Sequence, residues 1–258
     1  MNQSSPATNL SSRNYQWESP PAIPVLSSNE VHVWQAGLDE ANATVLEIFL
    51  SDEERARAGR FRFHRQRKEF IVGRGLLRII LAKYLNTHPG QLGFEYSRFG
   101  KPAVRRPSGD RIRFNVAHSD GLALYAVTRD REIGIDLEHI TPFDLDERTV
   151  AECLTAAEVG LLKSLPGNER KRFFFECWTR KESYLKARGV GLMSPPNQIE
   201  TCLASEPYAA TGIIQNHEEE KQTGWSFRNP PPIPAFAAAL VVEGSGARFN
   251  YWMLADSK

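Results

Sequence analysis

Cysteine is scarce in this sequence: Cys153, Cys177 and Cys202 are the only three, and none stands in a Cys-x-x-Cys pair. An odd, widely spaced set fits neither a disulfide framework nor a zinc site, so free thiols and a cytoplasmic location are expected. Long apolar runs are also missing. A bilayer-crossing helix needs about 20 apolar residues, and the longest candidate here, Ala235 to Val242, has only a strand's length. Met1 to Leu10 carries neither a basic segment nor an apolar one of the kind that opens a secretory signal, so neither export nor a membrane span is expected. An excess of one charge is lacking too. The 32 Lys and Arg against 31 Asp and Glu leave a net charge of +1, so the total argues neither for nor against nucleic acid, and the distribution has to be read.

What is present is an ordinary globular composition, 41% hydrophobic and 10% aromatic over 258 residues, enough for one large or two small folding units. Residues 1–28 are rich in Ser, Asn and Pro and predict a flexible arm or an extended strap. Val31 to Trp34 alternates as a strand. Ser51-x-x-Glu54 has capping-box spacing, and a long helix should run from about Arg65 to Tyr84. Phe94 to Tyr96, Phe114 to Val116 and Leu122 to Thr128 read as strands, the last reached through a tight Asp120-Gly121 turn.

The second half repeats this order. Ile133 to Leu137 reads as a strand, Thr155-x-x-Glu158 as a second capping box, and Glu169 to Arg188 as a second long amphipathic helix. Strands are expected around Gln198 to Leu203 and Phe236 to Val242, with Pro230, Pro231, Pro232 and Pro234 as a stiff connector between them. The matched order predicts an internal duplication. The expected architecture is α+β: two similar subdomains related by a pseudo-twofold axis, 29–130 and 131–258, each a small, mostly antiparallel sheet packed on a long helix, with the active site at their interface.

The strand at that seam carries Asp136 and Glu138. Alternation sends Ile133, Ile135 and Leu137 into a core and both carboxylates to the other face, about 6.6 Å apart. Their repulsion at an effective dielectric of about 20 is on the order of 2.5 kcal/mol, so a partly buried pair calls for a cation. Oxygen ligands favour Mg²⁺, with Mn²⁺ as the alternative. On the late helix Trp178, Glu182 and Lys186 fall at i, i+4 and i+8 on one face, with Lys181 beside them.

Gly134-Ile135-Asp136-Leu137-Glu138 followed by Trp178-Thr179-Arg180-Lys181-Glu182-Ser183-Tyr184-Leu185-Lys186 resembles the paired signature of the 4'-phosphopantetheinyl transferases. Gly100-Lys101-Pro102 and Phe114-Asn115-Val116-Ala117-His118-Ser119 are similar to motifs of the surfactin-synthetase-activating subfamily, and the resemblance runs from about Val31 to Leu192. It implies transfer of the phosphopantetheine arm of coenzyme A to a serine of an apo acyl or peptidyl carrier protein, with release of 3',5'-ADP. By position it implies that Asp136, Glu138 and Glu182 hold the metal and that Glu182 and Lys186 are catalytic, as proton acceptor and as stabiliser of the leaving phosphate. Arg57, Lys101, His118, Lys181 and Lys186 would bind the coenzyme. Two positions depart from the pattern: Ala117 stands where the family often has Ser, and Glu54 stands where relatives carry Lys.

Blander readings compete. An isolated Asp-x-Glu is more often a solvated strand face, and Trp178 and Phe173 to Phe175 read as core packing. Seven Lys or Arg between Arg55 and Lys68 could face nucleic acid, but only Phe61 and Phe63 are interleaved and no binding motif accompanies them. A monomer with no nucleic-acid or membrane partner is therefore expected. The rival functions are a non-catalytic binding module on the same fold and another Mg²⁺-dependent nucleotide enzyme such as a pyrophosphatase.

Overall fold

The computed structural model describes residues 16–39, 42–105, 111–141, 145–191, 194–201 and 224–254. In chain order they form β1 (Glu30–Gly37), α1 (Ala43–Glu47), α2 (Asp52–Ala58), α3 (His64–Leu85), β2 (Phe94–Tyr96), β3 (Pro102–Val104), β4 (Ile112–Ser119), β5 (Leu122–Arg129), β6 (Ile133–His139), α4 (Glu147–Cys153), α5 (Ala156–Ser164), α6 (Gly167–Arg188), β7 (Trp225–Arg228), β8 (Phe236–Glu243) and β9 (Arg248–Met253). One sheet has the order β4-β5-β1-β9, a second β6-β8-β7, and β2 and β3 make a separate hairpin.

Period-two alternation sorts these strands into four layers. On β1 and β5, Trp34, Tyr125 and Val127 join the core under α3. Their neighbours Val31, Val33, Leu124 and Ala126 instead meet Ile133, Ile135, Leu137, Leu240 and Val242 of the second sheet. The opposite face of that second sheet packs on α6 through Val241 and Leu185. The order is therefore helix, sheet, sheet, helix, and the even-numbered residues of β6 point at α6.

The two halves repeat each other in detail. Ser51 and Thr155 both complete capping boxes, with Glu54 and Glu158 returning to the N-cap amides. Each long helix has 22 residues and ends on a left-handed cap, Asn86 at φ 46° and Gly189 at φ 65°. Glu54 bonds Arg78, while Glu158 bonds Lys181. Arg78 and Lys181 stand at the same position, fourteen residues beyond the first residue of their helices. Glu54, expected as an altered position in a basic cofactor-binding helix, is instead buried and paired with Arg74 and Arg78.

Several expectations are met. The long helices and the strands of the first half lie where predicted, and Asp120 and Gly121 both take positive φ (42° and 78°), as a two-residue hairpin turn requires. Within the strap before β1, Glu18 N donates to Tyr251 O and Met253 N donates to Glu18 O.

Other expectations are corrected. Pro196–Gln198 is a single 3-10 turn rather than the start of a strand, residues 199–201 are irregular, and 202–203 lie outside the described residues. The strand that pairs with β8 there is Trp225–Arg228. β9 pairs in parallel with β1, so the end of the chain completes the sheet of the first half. Cys177 is disulfide-bonded and Cys153 is a free thiol, against the expectation that no cysteine pairs; Cys202 lies outside the described residues. Among the described residues no helix is long and apolar enough to cross a membrane.

Candidate active site

The site is built where β6 lies against α6. Gly134 makes that approach possible: a Cβ there would come within 1.9 Å of Ser183 O and 2.5 Å of Ala187 N. Two residues on, Asp136 faces the helix and meets Lys186 Nζ at 2.6 Å through Oδ1. A cleft of ≈ 370 Å³ opens beside this pair. It is lined by Val116, Ala117 and His118 of β4, Asp136, Leu137 and Glu138 of β6, and Trp178, Glu182 and Lys186 of α6. Both halves of the chain therefore contribute to it. A hollow of similar size, ≈ 410 Å³, lies at the end of α3 between Ala22, Lys83 and His88. That hollow contains no acid, so its volume alone does not make it a chemical site.

Electrostatics distinguishes the cleft. Asp136 is 4% exposed, and burial raises its pKa above the usual aspartate range even though Lys186 and the Leu137 N–H pull the other way. Glu138 is raised by burial and then by repulsion from Asp136, against hydrogen bonds from Ser119 and Trp178. Glu182 is raised by burial, then by Asp136, with Lys186 opposing and Glu138 adding to the rise. Burial thus raises all three carboxylates, and Asp136 adds to the rise of Glu138 and Glu182, in a cleft lined by a single lysine. His118 stays exposed, yet partial desolvation and then Lys186 push it below the ordinary histidine value, so its imidazole is neutral near pH 7.

The donor set suits a hard divalent cation. It is all oxygen, its charges are under-compensated, and Asp136 Oδ2 is buried with no hydrogen-bond partner. Among the described residues no three His, Cys, Asp or Glu side chains are already gathered as a metal cluster. Lys186 supplies the positive charge beside Asp136 in this state.

Of the expected site residues, the structure brings together His118, Asp136, Glu138, Glu182 and Lys186. Trp178, expected in the core, lines the cleft as well. Phe174 and Phe175 are buried as expected. Lys181 is a correction. It points to the far side of α6, fully buried, where Nζ donates to Glu158 Oε2 and to Cys153 O at 2.8 Å. One residue along a helix turns the side chain by about 100°, which separates Lys181 from Glu182.

Lys101 and Arg57 also lie outside the cleft lining. Lys101 Nζ donates to Glu132 Oε2 and to Ala187 O, each at 2.6 Å, near the last turn of α6. Arg57 is exposed, with its guanidinium 5.2 Å from the centre of the Phe70 ring. The sequence reading assigned no role to Gly134, Asn115 or Ser119. The signal for Gly134 was a glycine inside an otherwise regular strand, which marks a close backbone approach.

Comparison with known proteins agrees with this arrangement. Residues 132–241 match the 4'-phosphopantetheinyl transferase superfamily, and residues 33–129 match the N-terminal part of a 4'-phosphopantetheinyl transferase. The chain is 37% identical over 245 residues to the 4'-phosphopantetheinyl transferase HetI of Nostoc sp., covering 92% of this chain and 98% of that one. It is 31% identical over 223 residues to a putative 4'-phosphopantetheinyl transferase of Synechocystis sp., covering 86% and 84%. It is 35% identical over 187 residues to the 4'-phosphopantetheinyl transferase psf-1 of Bacillus pumilus, covering 70% and 77%. The match spans both halves and the cleft between them, and the chain belongs to the 4'-phosphopantetheinyl transferase superfamily, in its two-part form.

Proposed function

We propose that this protein transfers the 4'-phosphopantetheine arm of coenzyme A to a serine hydroxyl of an apo acyl or peptidyl carrier protein and releases 3',5'-ADP. The observation that carries this reading is the convergence of Asp136, Glu138, Glu182 and Lys186 on one cleft shared by both halves. In the reaction, the serine Oγ forms a bond to the phosphorus that bears the pantetheine arm. The bond from that phosphorus to the bridging oxygen breaks, and 3',5'-ADP leaves with the electron pair.

Asp136, Glu138 and Glu182 would hold Mg²⁺, or Mn²⁺ in its place, and the bound ion would supply charge to the pyrophosphate oxygens. Lys186 Nζ lies beside Asp136 and stabilises negative charge on the leaving phosphate. Glu182, on the face of α6 that lines the cleft, accepts the serine proton. Neutral His118 offers a ring N–H to the nucleotide end. Lys101 and Arg57 reach the coenzyme only if their side chains leave the partners described above, and Lys181 stays committed to Glu158.

With 29–130 and 131–258 read as the two halves and 1–28 as an arm, one chain supplies both walls of the cleft. The proposed working form is therefore a monomer, with no nucleic-acid or membrane partner.

The test is mass spectrometry of an apo carrier protein incubated with the enzyme, coenzyme A and Mg²⁺. The carrier should gain one phosphopantetheine and 3',5'-ADP should appear. Hydrolysis of the coenzyme without carrier modification would support a pyrophosphatase, and binding of the carrier without any product would support a non-catalytic module.

A further inference from the structure

β4 and β6 run side by side yet belong to different sheets. Two amides on the β6 edge facing β4 are nevertheless satisfied, both by side chains of β4. Ile135 N donates to Asn115 Oδ1 at 2.9 Å, and His139 N donates to Ser119 Oγ at 3.1 Å. The acceptors are four residues apart, as are the donors, so the two strands are parallel and in register. Ser119 Oγ also donates to Glu138 Oε2 at 3.3 Å.

The physical consequence concerns the cleft itself. A buried amide needs an acceptor, and a main-chain ladder would supply one by drawing the strands to about 4.8 Å. A ladder would also close the space beside Ala117 and His118. Side chains used as acceptors span a wider gap and leave that space open, while the two bonds still set where β6 stands along β4. Asp136 and Glu138 fall between the two anchored amides. Their backbone is therefore fixed from both ends, and Ser119, which accepts from His139 N through one lone pair and donates its one O–H to Glu138 Oε2, also orients the Glu138 carboxylate.

We propose that Asn115 and Ser119 are positioning residues for the metal-binding carboxylates, holding the β6 edge at the spacing at which Asp136 and Glu138 present their oxygens to the cleft. This deepens the proposed function and rests on it, since it takes those carboxylates as ligands. It also assigns a task to the Asn and the Ser of the Phe114 to Ser119 segment that is separate from nucleotide binding by His118.

The test is calorimetric titration of the full chain with Mn²⁺, without coenzyme, comparing the unaltered protein, Ser119→Ala and Ser119→Thr. Asn115 is buried and its truncation could unfold the chain, so the half-buried Ser119 carries the experiment. Loss of a hydrogen-bond partner of a metal ligand typically weakens metal binding about 10- to 100-fold, so Ser119→Ala should fall in that range and Ser119→Thr, which keeps the hydroxyl, should stay within about 3-fold of the unaltered protein. Coenzyme A affinity measured with EDTA should be the same for all three. Mn²⁺ affinity unchanged in Ser119→Ala, or a lowered melting temperature with unchanged affinity, overturns this proposal alone. No Mn²⁺ binding by the unaltered protein overturns the metal assignment and this proposal together.

Discussion

Gly134 lies against Ser183 so closely that a Cβ on the glycine would sit 1.9 Å from the serine's carbonyl oxygen. The contact sets the spacing between β6 and α6, and so the reach from Asp136 to Lys186. Gly134→Ala should push the strand off the helix. Overpacking of this kind typically costs about 1 to 3 kcal/mol, sometimes more, and transfer activity should fall further than stability because the two charged groups separate. Thermal melts and carrier modification measured on the same preparation check this; wild-type turnover in Gly134→Ala would show that the spacing is not needed.

The raised pKa of Asp136 has a sign that can be tested. Its folded value lies above that of an ordinary, solvated aspartate, so the folded state binds more protons than the unfolded state between the two values. The contribution of Asp136 is therefore fully present below its unfolded pKa and is lost as pH rises through the folded one. In metal-free buffer, Asp136→Asn should gain stability relative to the unaltered protein across that window and hold the gain at neutral pH. Added Mg²⁺ should stabilise only the unaltered protein. Melting temperatures against pH for both proteins, with and without Mg²⁺, decide it. Transfer by Asp136→Asn should be abolished.

Glu182 has two proposed tasks that separate by substitution. Glu182→Gln keeps the shape but loses charge and basicity, so turnover should drop by the roughly 10² to 10⁴ that a general base contributes and should not recover when Mg²⁺ is raised. Glu182→Asp keeps charge but withdraws the carboxylate by one methylene, and more Mg²⁺ should partly rescue it. Full recovery of Glu182→Gln with added metal would leave Glu182 as a ligand only.

Glu158 and Lys181 are both fully buried. Glu158 also accepts from Thr155 N, Thr201 N and Thr201 Oγ1, and so ties α5, α6 and the segment after α6 together. Breaking such a pair from one side strands a buried charge and costs about 3 to 5 kcal/mol. Lys181→Met should lose that much in denaturant unfolding, and the Lys181→Met, Glu158→Gln double variant should recover part of it. Coenzyme A affinity below the melting transition should hardly change in either. A large, selective loss of coenzyme binding in Lys181→Met would restore Lys181 to the site.

His118 should act on the far end of the coenzyme. If its neutral ring donates to the 3'-phosphate, His118→Ala should weaken coenzyme A binding by about 1.5 to 3 kcal/mol, the worth of a hydrogen bond to a charged group. The effect should shrink for 3'-dephospho-coenzyme A. Additive losses in calorimetry would place His118 elsewhere.

Much of this was legible along the chain because it depends on local periodicity. Alternation alone put Ile133, Ile135 and Leu137 on one face of β6 and Asp136 and Glu138 on the other, and a helical repeat alone put Trp178, Glu182 and Lys186 in one row. Capping chemistry is local too, and both boxes form where their spacing places them. Tertiary structure decided what depends on contacts distant in sequence. Lys181 differs from Lys186 only in the direction it leaves α6, and a buried Glu158 that reads as a cap in sequence claims it. Lys101 meets Glu132 and the end of α6 across the seam, and β9 finds β1 from the other end of the chain. Nothing in the local pattern of Asn115 or Ser119 says that their side chains replace a main-chain ladder, because that depends on how far apart two sheets come to rest. The sequence thus determined which groups the cleft would need and on which faces they would stand, while packing of the two halves decided which of them share it.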